Sequence, residues 1–217
     1  MNEIQQDYLI GLVHKKLEQY NLEDLKDVNV NNDSFVAYID NFIDNHALEN
    51  DLINEILNFI NGEENYYENK LITIEKIGIY VSVSDELEHF TILSEDFKDL
   101  LISLLQYLKS YLPLGSIVML NKDKLGIESD KDEIVVIEQR MIQPKGKNYY
   151  IDYRSIPYPT GAFNEAMYTY FSEDDIKEVI FKGYSDLENE GYELLLKESL
   201  IGNHIYNKKY QVEMIEE

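Results

Sequence analysis

Two acidic runs are the parts of this chain whose residue types and spacing could do chemistry. Asn121, Asp123, Gly126 and Asp132 occupy positions one, three, six and twelve of a calcium-loop template. A cation held by oxygens needs carboxylates at alternate positions and a glycine at the sharp bend. Leu125 stands where a ligand belongs, however, and Asp132 is shorter than the glutamate that closes such a loop, so the plainer reading is a solvated hairpin loop between strands. Glu173-Asp174-Asp175 could hold a cation or act as an acid/base pair. The plainer reading is a helix start, with Ser172 as cap and carboxylates meeting free amides. His14, His46, His89 and His204 lie far apart and belong to no metal or nucleophile motif, and no phosphate-binding glycine loop or nucleophile elbow appears. With no cysteine, disulfides, thiolate nucleophiles and thiolate metal sites are excluded. The expectation is a protein that is not an enzyme, with no catalytic residues, no metal and no cofactor.

A binding surface is easier to read. Pro157 and Pro159 restrict their own torsions and those of Ile156 and Tyr158, which presents Tyr158 on a stiff turn. Tyr149, Tyr150, Tyr153, Phe163, Tyr168 and Tyr170 surround it in sequence. Tyrosine offers large contact area at low entropy cost, so Tyr153, Pro157, Tyr158, Pro159 and Phe163 are the candidate partner-binding residues. The competing reading is that these rings fill the core and the prolines protect a strand edge.

The elements that must position these residues fall into two parts. All four prolines lie after residue 110, and the charge divides unevenly: residues 1–110 hold 22 acidic and 7 basic side chains, residues 111–217 hold 20 and 12. Both shifts put a boundary near Ser110 to Pro113, giving a helix-rich region 1–110 and an α+β domain 111–217. The junction lacks linker composition, so the parts are expected to pack together. Apolar spacing predicts helices over about 4–20, from Asp33 or Ser34 through Ile43, and from Leu48 to Ile60, the last closed by Gly62 in a left-handed cap. Leu71 to Val83 reads as a bent strand or a hairpin about Gly78, with His89 to Leu93 a further strand. Ser94, Glu95 and Asp96 start a helix whose Phe97, Leu100, Leu101, Leu104, Leu105 and Leu108 make it the most buried of all, ending at Pro113.

The second part reads as strands near Ser116–Leu120, Glu133–Gln139, Asn148–Ile156 and Ile176–Lys182. A capping box at Ser185-Asp186-Leu187-Glu188 then starts a helix that covers the sheet through Leu187, Gly191, Leu194 and Leu195. Residues 202–217 carry only weak strand signals at Tyr210, Val212 and Met214, which leaves an added edge strand or a frayed tail. The fold class expected is α+β: an N-terminal helical part with a short β element, packed on a small C-terminal antiparallel sheet with a covering helix.

Of the 217 residues, 44% are apolar and 12% aromatic, enough for a sizeable core. The formal net charge of -23 repels nucleic acid and anionic membrane and suits a basic protein partner, or else serves solubility. Residues 1–25 show no signal peptide, and the apolar cluster Leu100–Leu105 is too short to span a membrane, so a cytoplasmic location without membrane insertion is expected.

Three motifs add a resemblance. Leu112-Pro113-Leu114-Gly115-Ser116-Ile117-Val118, Ile156-Pro157-Tyr158-Pro159-Thr160-Gly161 and the stretch Phe171 to Tyr184 resemble, in order and spacing, domain-of-unknown-function family 4176 over roughly residues 112–198. Members of that family are small proteins of Gram-positive bacteria encoded beside type VII secretion systems and their LXG-type toxins. The resemblance implies a non-enzymatic cytoplasmic accessory or adaptor protein that binds a toxin or its small helical export partners. The alternative is an immunity protein that neutralises the toxic domain.

Overall fold

The computed structural model describes residue 11 and residues 50–69, 72–84, 89–128 and 132–211. The helices expected over 4–20 and 33–43 lie, apart from residue 11, outside them. The fold class is α+β, and the chain divides into two compact units, Met1–Leu108 and Lys109–Glu217.

In the first unit, helix α1 (Asn50–Asn61) repeats apolar residues every three to four positions and buries Ile53, Ile56, Leu57 and Ile60. Gly62 follows it, but not in the expected left-handed cap. Its φ is not positive, and its N–H donates to the Asn58 and Phe59 carbonyls so closely that a Cβ would lie 3.2 Å from the Asn58 oxygen. Strands β1 (Tyr66–Glu68), β2 (Thr73–Ile77), β3 (Tyr80–Ser84) and β4 (His89–Leu93) form an antiparallel meander. Within the stretch expected as a bent strand or hairpin, the described residues Thr73 to Val83 form a hairpin. Ile77 pairs with Tyr80, and Gly78, at φ +63, supplies the positive torsion that a two-residue turn demands. Helix α2 (Ser94–Leu108) packs on α1 and lies against β3 and β4, with Phe97, Leu100, Leu101, Ile102, Leu104 and Leu105 buried. It stops at Leu108, five residues before Pro113. The reason is tertiary, because Lys109 and Tyr111 are held by partners inside the second unit.

The second unit is a six-stranded sheet. Strands β5 (Ile117–Leu120), β6 (Ile134–Ile142) and β7 (Tyr149–Pro157) run as an antiparallel meander, and β9 (Ile176–Phe181) returns to pair antiparallel with β5. The far edge of β7 is shared. β10 (Tyr206–Asn207) pairs parallel with its start and β8 (Thr169–Phe171) antiparallel with its end. Between β5 and β6 sits a one-turn helix, α3 (Lys122–Leu125). After β9 comes α4 (Leu187–Gly202), and after β10 comes α5 (Lys208–Gln211). Val118, Leu120, Val135, Ile137, Tyr150, Tyr153, Phe171 and Leu200 are the centre of the core.

Three local expectations are corrected. Asp186, not Ser185, caps α4: its carboxylate accepts the Asn189 N–H at 2.9 Å, and the Ser185 hydroxyl takes the Asn189 side chain instead. Helix α4 buries Lys197, Leu200 and Ile201, while Leu187 is 83% and Leu195 62% exposed. Arg140 of β6 decides this rotation. Its guanidinium binds Asn189 and Glu193, and Lys197 in turn binds Glu193 at 2.9 Å, so the polar row Asn189, Glu193, Lys197 faces inward. The row Leu187, Gly191, Leu195 is offset by two residues, about 200° round the helix, and faces outward. Finally, Tyr210 is helical rather than in a strand; the added strand is Tyr206–Asn207, and Val212 and Met214 lie outside the described residues.

Candidate functional site

The five candidate partner-binding residues separate. Tyr153 lies on β7 with its ring fully buried, 5.3 Å from the Phe171 ring and 5.9 Å from the Tyr111 ring, and its hydroxyl accepts the Leu112 N–H at 3.0 Å. It is a core residue and presents nothing to a partner. Pro157 ends β7 half-buried. Tyr158 and Pro159, joined by a cis peptide bond, sit in the turn that follows, with Tyr158 51% exposed and Phe163 81% exposed. The turn is held by two backbone bonds, from Tyr158 N–H to the Ile134 carbonyl at 2.9 Å and from Gly161 N–H to the Pro157 carbonyl at 2.8 Å. Earlier on β7 the Arg154 guanidinium stacks on the Tyr168 ring at 4.3 Å and approaches Glu138 at 3.2 Å. Tyr158 on the braced turn and Phe163 just beyond it therefore remain as surface aromatics.

A few ionisable groups collect inside the unit. Asp152, 1% exposed, accepts from Lys109 Nζ at 2.6 Å, from the Glu173 N–H at 2.9 Å and from Asn207 Nδ2 at 2.5 Å. Lys109 also approaches Glu173 at 3.7 Å, and its carbonyl accepts from Lys197 Nζ. Beside them the Tyr111 and Tyr150 hydroxyls lie 2.8 Å apart. Burial drives the titrations here. It raises Tyr111 well above the usual phenol range, raises Tyr150 and Tyr153 as well, raises Glu173, and lowers Lys197. Three donors converge on this one buried carboxylate and satisfy most of its acceptor capacity. This cluster uses its polarity to join the chain entering at Lys109, the middle of β7, the turn at Glu173 and the C-terminal strand.

The acidic runs have structural partners too. Asn121 caps α3, accepting the Lys124 N–H at 3.3 Å, and Leu125 packs against the core, so the segment starts with a capped helical turn rather than a hairpin loop. Glu173–Asp175 form a single 3-10 turn after Ser172, whose N–H donates to the Asp175 carboxylate at 2.8 Å. Asp174 meets Lys209 at 3.4 Å. Among the described residues no group of three or more His, Asp or Glu could hold a metal ion. His204 turns its ring edge-on to Tyr206 at 6.4 Å, whereas His14 and His46 lie outside the described residues.

Sequence reasoning missed the exposed apolar side chains after residue 178. β9 is an edge strand, and Val179, Ile180, Phe181 and Tyr184 are all exposed. Two register shifts interrupt its pairing with β5, and Lys177 and Lys182 flank the apolar run, devices that discourage further strand addition at an edge. By hydropathy the run reads as core, and only its place at the sheet edge makes it surface.

No helix among the described residues is long and apolar enough to cross a membrane. No curated protein and no solved structure matches the chain. Residues 111–191, from the buried Tyr111 into the second turn of α4, match the family described as Domain of unknown function (DUF4176), the family that the motifs at 112–118, 156–161 and 171–184 resemble.

Proposed function

We propose that the chain is a non-enzymatic cytoplasmic accessory or adaptor protein of a type VII secretion toxin locus, and that its second unit binds a toxin or the toxin's small helical export partners. The observation that carries this reading lies in the family-matched stretch, where Phe163, Phe181 and Tyr184 are left exposed while the buried Asp152 and Arg140 are held by ion pairs. Large rings held outside on a braced scaffold are what a protein interface uses as anchors. A net charge of -23 favours a basic partner over nucleic acid.

Co-expression with the neighbouring toxin, cut into its N-terminal targeting region and C-terminal toxic domain, tests the proposal. Co-purification with the targeting region is expected. Capture of the toxic domain alone would replace the adaptor reading with an immunity role, and capture of neither would overturn both.

A further inference from the structure

We infer that the outward face of α4 over Leu187–Leu195 is a docking surface for a basic amphipathic helix. Leu187, Gly191 and Leu195 follow one another at intervals of four residues and so form one stripe along the helix, about 12 Å from first to last. Arg140 turns this stripe away from the sheet, and Tyr192, beside it, is also exposed. A glycine in a helix interior costs about 1 kcal/mol relative to alanine. A Cβ at Gly191 would meet nothing within 4 Å, so no close contact in the unit calls for the glycine. The glycine leaves a notch between two leucines one turn away on either side, the shape into which a large side chain of a crossing helix inserts.

Charge identifies the occupant. Glu188 and Glu190 are exposed along the stripe, and Asp186 at the cap adds a third exposed carboxylate. The helix has one cation, Lys197, which is buried against Glu193. A second copy of the chain would bring acids to acids. A helix whose apolar side is bordered by Lys or Arg would pair with them.

The inference rests on the protein-binding reading above for its natural partner, and its test does not. Two peptides of about 18 residues, within the usual helix length, carry Leu on one face and either Lys or Glu on the other. Each is added to the isotope-labelled full-length chain and followed by NMR. The Lys peptide is expected to shift the amides of Leu187–Leu195, and the Glu peptide to leave them unchanged. Leu187→Asp with Leu195→Asp should weaken binding at least tenfold; both side chains are exposed, so folding is spared. Gly191→Ala should raise the melting temperature yet weaken the peptide several-fold, a pairing of signs that a purely structural glycine would not give. Shifts mapping elsewhere, or binding indifferent to the double substitution, would overturn the inference. If the wild-type chain captures the toxin and the double variant captures it equally, this surface is wrong and the adaptor reading stands. If the wild-type chain captures no part of the toxin, that reading fails whatever the peptides do.

Discussion

The hydroxyl of Tyr111 lies 2.8 Å from that of Tyr150, with both rings buried, so a residue just after the boundary between the units is bonded to the start of β7. This pair and its neighbour Tyr153 make the second unit sensitive to alkali. Burial raises all three phenols above their unfolded value of about 10. Each is held neutral in the folded chain at pH values where the unfolded chain has already lost the proton. Stability is therefore level below about pH 10 and falls as pH rises towards the folded values. Tyr111→Phe removes one titrating proton, so a shallower loss of stability above pH 10 is expected, read by denaturant melts at successive pH. An unchanged slope would place the ionisation elsewhere.

Asp152, 1% exposed, gathers three donors. Asp152→Ala leaves Lys109 Nζ, the Glu173 N–H and Asn207 Nδ2 facing a void, and the expected loss is about 3 kcal/mol, since removing one partner of a buried pair strands the others. Lys109 retains some access to water, which softens the effect. Urea denaturation gives the value, and a change below about 1 kcal/mol would mean that solvent reaches the cluster.

Gly183 is required for a different reason from the turn glycines. Its φ is not positive, yet a Cβ there would lie 2.3 Å from the Leu114 carbonyl oxygen and 2.9 Å from the Ser116 nitrogen, while its N–H donates to the Ser116 hydroxyl at 2.9 Å. Both obstacles are backbone. Gly183→Ala should cost roughly 1–3 kcal/mol by forcing β9 away from the β5 start, and thermal unfolding would detect it.

Charge and aromatics should act on separate rate constants of binding. Raising ionic strength is expected to slow association with the cognate toxin complex, because the net charge of -23 steers encounter. Tyr158→Ala should speed dissociation by an amount equivalent to ~2 kcal/mol, typical of an anchor ring. Stopped-flow and dissociation traces on purified components separate the two. Unchanged dissociation in a folded variant would assign the Pro-Tyr-Pro turn a structural role.

Local chemistry was legible without coordinates wherever a few adjacent residues suffice. Ser94-Glu95-Asp96 starts α2, Gly78 turns a hairpin, and alternation in 117–120 and 134–137 gives strands with Val118, Leu120, Val135 and Ile137 inward. The α+β class follows from these periods. Periodicity tells which residues share a face, but not which face turns in. For α4 that was decided by Arg140, some 50 positions earlier, whose guanidinium drew Asn189 and Glu193 inward and left Leu187, Gly191 and Leu195 outside. Tyr153 and Tyr158 are alike in composition and neighbourhood; one faces Phe171 across a strand pair, the other sits past the strand's end. The ions behave similarly. Lys109 and Asp152 are 43 residues apart and acquire their relationship only when β7 forms, because a buried carboxylate must find its donors wherever the fold brings them.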